Sequence, residues 1–268
     1  MKHVFSTKLV LVLALLISIL QVTDSFAVAP KRDFYQLIIY KLKTAEQESR
    51  LDNYLQNAYL PAMHRAGIEK VGVFKPILAP DAAEPAEKLV YVFIPFKSQD
   101  EWSNLEAKLM KDKTYLEEGK DYIDTPWDKP VYSRMESILM RAFVDQPHFQ
   151  MPNLSGPKSE RVYEFRSYEG PSEKLYVNKV DMFNAGGEVK LFKRLNFNAV
   201  FYSEVVSGAA MPNLIYMTTF ENKADRDAHW KAFSADPEWK TLSSMPKYQH
   251  NVSKNDTRFL RPTDYSDI

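Results

Sequence analysis

Two short runs with strand-type alternation set the frame of this chain. Tyr35-Gln-Leu-Ile-Ile-Tyr40 and Tyr163-Glu-Phe-Arg-Ser-Tyr168 each present two unlike faces at a period of two. Stretches with helical patterning follow them, Glu46 to Ala66 after the first and Lys174 to Arg194 after the second. The correspondence then continues in order. Val71-Gly-Val-Phe74 answers Ala199-Val-Phe201, and Leu89-Val-Tyr-Val-Phe93 answers Leu214-Ile-Tyr-Met-Thr218. Asp112 and Tyr115 answer Asp236 and Trp239, and Leu139-Met-Arg141 answers Phe259-Leu-Arg261. Further helices are predicted over Gln99–Met110 and Lys223–Ser234. Each half therefore reads strand, helix, strand, strand, helix, helix, strand. Between them Asp145–Ser159 holds Pro147, Pro152, Gly156 and Pro157 without a period, which reads as a linker. The expected organisation is a first domain at 31–143, a linker at 144–159 and a second domain at 160–268, each near the commonest domain size.

That element order is the split β-α-β arrangement called ferredoxin-like, an α+β fold. Helices cover one face of such a sheet, and the other must be buried by a partner. A tandem pair supplies the partner within one chain, so the two sheets are expected to close on each other as a barrel.

The first 27 residues are set aside from the fold. Lys2 and Lys8 precede an apolar run from Leu9 to Leu20, too short to span a bilayer comfortably, and Ser25-Phe-Ala27 fits a signal-peptidase site. Cleavage after Ala27, export to the periplasm or exterior, and no stable membrane span afterwards are the expectation. The composition narrows the chemistry further. The 268 residues hold 35 basic and 35 acidic side chains and no cysteine. Balanced charge argues against nucleic acid as a partner, and the lack of thiols removes disulfides, zinc ribbons and cysteine nucleophiles. No Walker, G-x-G-x-x-G or G-x-S-x-G pattern occurs. The mixed charges of Lys108–Lys120 read as a solvated helix face.

Three segments together carry a family resemblance: Tyr163-Glu-Phe-Arg-Ser-Tyr168, Phe233-Ser-Ala-Asp-Pro-Glu-Trp-Lys240 and Phe259-Leu-Arg-Pro-Thr-Asp-Tyr-Ser266. They resemble the NIPSNAP pattern, well across 160–268 and more weakly across 34–143. The resemblance implies the dimeric α/β barrel fold, here as tandem ferredoxin-like domains. It implies little chemistry, since the family is mostly of unknown function. Animal members are linked to mitochondria and vesicle transport, a role that does not carry over to a chain with a secretory leader.

On the second-half strand, alternation puts Tyr163 and Phe165 on one face and Glu164, Arg166 and Tyr168 on the other. The aromatic face is expected against the helices. The polar stripe would then look into the barrel, where an ion pair and a phenol suit a carboxylate or carbonyl ligand. The matching first-half positions are Gln36, Ile38 and Tyr40, and Tyr40 joins the three as a candidate ligand contact. The plainer and favoured reading is an ion pair that fixes strand register. His64, near a helix end before Gly67, and Tyr168 are the candidate proton-transfer groups, with a surface histidine favoured by the helix dipole as the bland alternative for the first. His229 follows Asp225 by four, the spacing of a helical ion pair. Trp102, Trp127, Trp230 and Trp239 are expected in core packing. No metal site and no cofactor are expected; haem, which related barrels bind, would find only His64 as a ligand. The leading function is small-molecule binding in a barrel cavity. A cofactor-independent oxygenase or isomerase is the first alternative, and a homodimerisation module the second.

Overall fold

Residues 30–79, 83 and 85–268 are described in the computed structural model of the chain. The leader read at residues 1–27 lies outside the described residues. Strand β1 (Phe34–Leu42) is followed by helix α1 (Ala45–Tyr54), a π-helical turn (Leu55–Tyr59) and α2 (Leu60–Arg65). After β2 (Gly72–Pro76) and β3 (Lys88–Phe96) come four short helices, α3 (Gln99–Ser103), α4 (Leu105–Leu109), α5 (Lys113–Glu118) and α6 (Lys120–Ile123), then β4 (Arg134–Ala142). The second half repeats this plan with β5 (Val162–Glu169), α7 (Glu173–Phe183), α8 (Glu188–Arg194), β6 (Ala199–Ser207), β7 (Asn213–Phe220), α9 (Lys223–Ala235), α10 (Pro237–Ser244) and β8 (Lys254–Pro262).

Local chemistry explains most of these boundaries. Thr44, Ser98, Asp112, Ser172, Asn222 and Asp236 each begin a helix by accepting a hydrogen bond from a backbone N–H two or three residues on. Asp112 and Asp236 are the matched aspartates of the two halves. Pro61 cannot donate to the preceding turn, and the helix widens into its π turn just ahead of it. Two expected helices do not run through, and the first, Gln99–Met110, parts at Asn104 into α3 and α4. Lys174–Arg194 is broken after Phe183, because Gly187 adopts φ +92° and a Cβ on Gly186 would stand 2.5 Å from the Met182 carbonyl oxygen.

The eight strands close into one antiparallel barrel in the order β1-β3-β2-β8-β5-β7-β6-β4. Each half thus has the ferredoxin-like order, β4-β1-β3-β2 and β8-β5-β7-β6, and the seams are β2 against β8 and β4 against β6. Tandem ferredoxin-like halves form a dimeric α/β barrel-type arrangement within one chain. Strands β5 and β7 are covered on both sides over much of their length. The barrel interior holds Tyr35, Leu37, Phe93, Met140, Tyr163, Phe165, Phe201 and Leu260, whereas Ile38, Tyr40, Val92 and Leu51 belong to the first outer layer and Phe183, Phe192, Tyr216 and Phe233 to the second.

This layering reverses the facing expected for β5. Tyr163 and Phe165 point into the barrel, and the Glu164, Arg166, Tyr168 row points out toward the helices. Alternation separates two faces but does not say which is inside, and here the large rings fill the barrel while the charges find partners on α9. Among the described residues no helix is long and apolar enough to cross a membrane.

Candidate functional site

The outward rows of β1 and β5 meet very different surroundings. In the first half, Gln36 and Ile38 form part of the wall of a cavity of about 1150 Å³ between the sheet and the short helices α3–α6. Leu105 and Leu109 contribute apolar wall from α4, Tyr59 from the π turn, Tyr115 from α5, and Tyr122 from α6. The loop 124–133 closes one side with Trp127 and Tyr132. Trp102 packs at the cavity against the first-half core. Trp127 does not pack into a core as expected; it stands 93% exposed on the rim. It lies in a loop bracketed by Pro126 and Pro130, beyond the last helix, where nothing is packed over it.

Behind the wall is a braced set of phenols. Tyr122 stacks on Tyr54 with centroids 3.7 Å apart and its hydroxyl lies 3.1 Å from that of Tyr40. Tyr54 and Tyr115 share a hydroxyl pair at 2.9 Å, and Tyr132 meets Tyr40 edge to face at 5.4 Å. Burial raises the pKa of Tyr40, Tyr59, Tyr115 and Tyr122 above the usual tyrosine value. These groups are therefore neutral phenols, able to donate or accept hydrogen bonds and unsuited to act as phenolate bases. The charged groups on the lining are Lys43, Arg134 and Glu106.

In the second half the corresponding space is filled. Glu164 is fully buried and accepts from Arg166 Nε at 2.7 Å, from Arg226 Nε at 2.7 Å and Nη2 at 2.8 Å, and from Trp230 Nε1 at 2.6 Å. Arg226 and Trp230 are four apart on α9 and so share one helix face. The Arg166 guanidinium lies 3.8 Å from the Trp230 ring centroid and donates to the Tyr168 hydroxyl at 2.9 Å, which in turn pairs with Tyr216 at 2.9 Å. Burial works against the Arg166 charge, but Tyr216, Tyr168 and Glu164 outweigh it and hold its pKa above the ordinary arginine value. The cluster bonds charge to charge in the layer between β5 and α9.

The model of the NIPSNAP family matches residues 163–267. The second half is a NIPSNAP domain. Its match begins at Tyr163 and takes in the Glu164 cluster, the Asp236 cap and the closing strand β8. No curated protein matches the chain. Among solved structures, a candidate monooxygenase from Lactobacillus acidophilus aligns at a TM-score of 0.51 with 10% identity, covering 86% of this chain and 94% of that one. An anthrone oxidase-like protein aligns at 0.50 with 12% identity over 88% and 93%. A NIPSNAP family protein from Agrobacterium tumefaciens aligns at 0.35 with 20% identity over 40% and 96%. The two longer alignments show that the whole tandem barrel is a shared fold.

The residues singled out from sequence fall in three places. Glu164, Arg166 and Tyr168 are together in the filled layer of the NIPSNAP domain. Tyr40 supports Tyr122 and Tyr132 from behind the first-half cavity. His64, at the end of α2, is exposed and pairs through Nε2 with Asp267 at 2.8 Å, apart from both. His229 pairs with Asp225 at 3.1 Å, as its spacing predicts. Sequence reasoning missed the ring wall of Tyr59, Tyr115, Tyr122 and Tyr132. The clustering of tyrosines in the first half was the available signal, but no pattern in the sequence marks the space between them as empty.

Proposed function

We propose that the chain is a small-molecule-binding barrel protein whose ligand occupies the first-half cavity between β1 and α3–α6. The observation that carries this is a cavity of about 1150 Å³ walled by rings and neutral phenols, with Trp127 exposed at its rim. Such a wall suits a flat, largely apolar molecule with a carbonyl or hydroxyl that a phenol can meet. The NIPSNAP domain of the second half acts as the braced scaffold on which the first half stands. Ligand entry covers Trp127, so titrating the chain with 1-anilinonaphthalene-8-sulfonate should change tryptophan emission saturably. Filling the cavity by Ile38→Trp should abolish the change while the far-UV circular dichroism stays the same; an undiminished signal in that variant would sink the proposal.

A cofactor-independent oxygenase is the second reading, supported by neighbours described as a candidate monooxygenase and as anthrone oxidase-like. In that reading the proton acceptor would be Glu106, since His64 and Tyr168 are not on the cavity wall. Oxygen uptake with a hydroxylated polycyclic substrate that binds, lost in Glu106→Gln with binding kept, is the test. Export belongs to the proposal as well: a chain recovered outside the cytoplasm and beginning at Val28 is the expected product.

A further inference from the structure

Outside the tyrosine cavity, the segment between the halves builds a second constellation. Asp33, at the entry to β1, is only 1% exposed. Its main chain is fixed from both sides, with its N–H donating to the Pro147 carbonyl at 2.8 Å and its carbonyl accepting from Ala142 at 2.9 Å. One carboxylate oxygen accepts from the Phe149 N–H at 3.0 Å and lies 3.2 Å from Lys97 Nζ, and the other is 3.0 Å from Nδ1 of His148. A carboxylate accepts, so Nδ1 is the nitrogen that donates to Asp33, and in the neutral imidazole Nε2 is then the acceptor. Phe149 packs on Phe93 of the barrel interior with centroids 6.1 Å apart, and Gln150 donates its N–H to Val200 at 3.0 Å, so the histidine is anchored on its C-terminal side too.

His148 lines a cavity of about 550 Å³ whose other walls include Gln146, Gln150, Asn153 and Asn196. The cavity is bounded by a braced turn: Asn198 takes φ +48° and bonds both ways to the main chain of Asn153, at 3.0 Å each. Nε2 of Gln146 is buried and has no hydrogen-bond partner in the protein. A buried amide donor without a partner costs free energy that a ligand oxygen would recover. An oriented imidazole, a spare donor and an adjoining cavity are the parts required for general-base attack on a carbonyl.

We propose that this cavity is a second small-molecule site, for a neutral ester, with His148 as general base positioned by Asp33 and Gln146 as donor to the carbonyl oxygen. In the step, Nε2 takes a proton from water as the water oxygen bonds to the carbonyl carbon. The ester C–O bond then breaks, the leaving oxygen receives the proton from Nε2, and acid and alcohol are released. Water is the nucleophile and no further co-reactant is needed.

The probe is p-nitrophenyl acetate with the full chain at pH 8. Release of p-nitrophenolate should exceed that of equimolar imidazole, slow in D₂O, and fall by roughly tenfold or more in His148→Gln. Gln146→Ala should lower kcat more than it raises KM. His64→Ala removes another aspartate-paired histidine and should change nothing. Because Asp33→Asn disturbs a buried carboxylate and risks unfolding, the half-exposed His148 carries the test. A wild-type rate no greater than imidazole, full activity in His148→Gln, or a rate unchanged in D₂O would each overturn the proposal.

Discussion

The two halves share a strand order and a helix plan but treat the outward row of their first strand in opposite ways. In the first half that row is Gln36, Ile38 and Tyr40, which make few demands, and a cavity remains between sheet and helices. In the NIPSNAP half it is Glu164, Arg166 and Tyr168, and the helix above is committed to satisfying them. A buried carboxylate is tolerated only with its oxygens fully bonded, so Glu164 dictates Arg226 and Trp230 on α9 and leaves no room for a ligand. The difference teaches that a duplicated fold divides its labour by side-chain demand. Charges on the outward row tie β5 to α9 in one copy, and their absence from the outward row of β1 leaves space above that strand in the other.

The largest expected effect comes from breaking the filled half. Glu164→Ala leaves two arginines facing an apolar layer and should cost about 3–5 kcal/mol in urea unfolding, whereas Gln36→Ala, which loses an exposed bond to Ser137 at 2.8 Å, should cost under about 0.5 kcal/mol. Equal costs would erase the contrast. Ligand affinity should respond the other way: Ile38→Trp should weaken 1-anilinonaphthalene-8-sulfonate binding by about tenfold or more, about 1.4 kcal/mol, while Arg226→Met leaves affinity for the probe unchanged in whatever fraction stays folded. Fluorescence titration of both variants decides it. Within the tyrosine wall, Tyr54→Phe strands the Tyr115 hydroxyl and should cost about 1 kcal/mol by the same unfolding assay.

The smallest effect tests what the halves keep in common. Asp112 and Asp236 cap matched helices and each meets an arginine, Arg65 at 2.7 Å and Arg194 at 2.9 Å. The Arg65 bond holds the Asp112 carboxyl below the ordinary aspartate value; for Asp236 partial burial pulls upward, and Arg194 with the backbone N–H groups of the cap outweighs it. Both folded pKa values are thus lower than in the unfolded chain. The stability each contributes is full above the ordinary aspartate pKa of 3.8 and is lost as pH falls through the folded value. Carboxyl ¹³C titration should place both below 3.8, and either one at or above it would break the parallel.

Much of the fold could be read directly from the pattern. The repeated order of strands and helices, the cap aspartates and the strand alternation are local properties, legible because each depends on a few neighbouring residues. The break at Gly186-Gly187 was written there as well, though a helical period on both sides masks a pair of glycines. The site was far less legible. Alternation on β5 correctly separates Tyr163 and Phe165 from Glu164, Arg166 and Tyr168, yet inside and outside were exchanged, because a barrel wrapped in helices buries both faces. His148 falls within Asp145–Ser159, which the pattern marks only as a linker; folding alone brings Asp33, more than a hundred positions away, to 3.0 Å from it.

The sequence by itself determined the duplicated βαββαβ plan, the NIPSNAP character of the second half and the placing of caps, since periodicity and short motifs act over one or two turns of chain. The tertiary structure alone decided which strand face fills the barrel, where space is left between the elements, and which carboxylate orients which histidine. Those outcomes rest on volume left between elements and on pairings across the chain, quantities that exist only once the eight strands have closed.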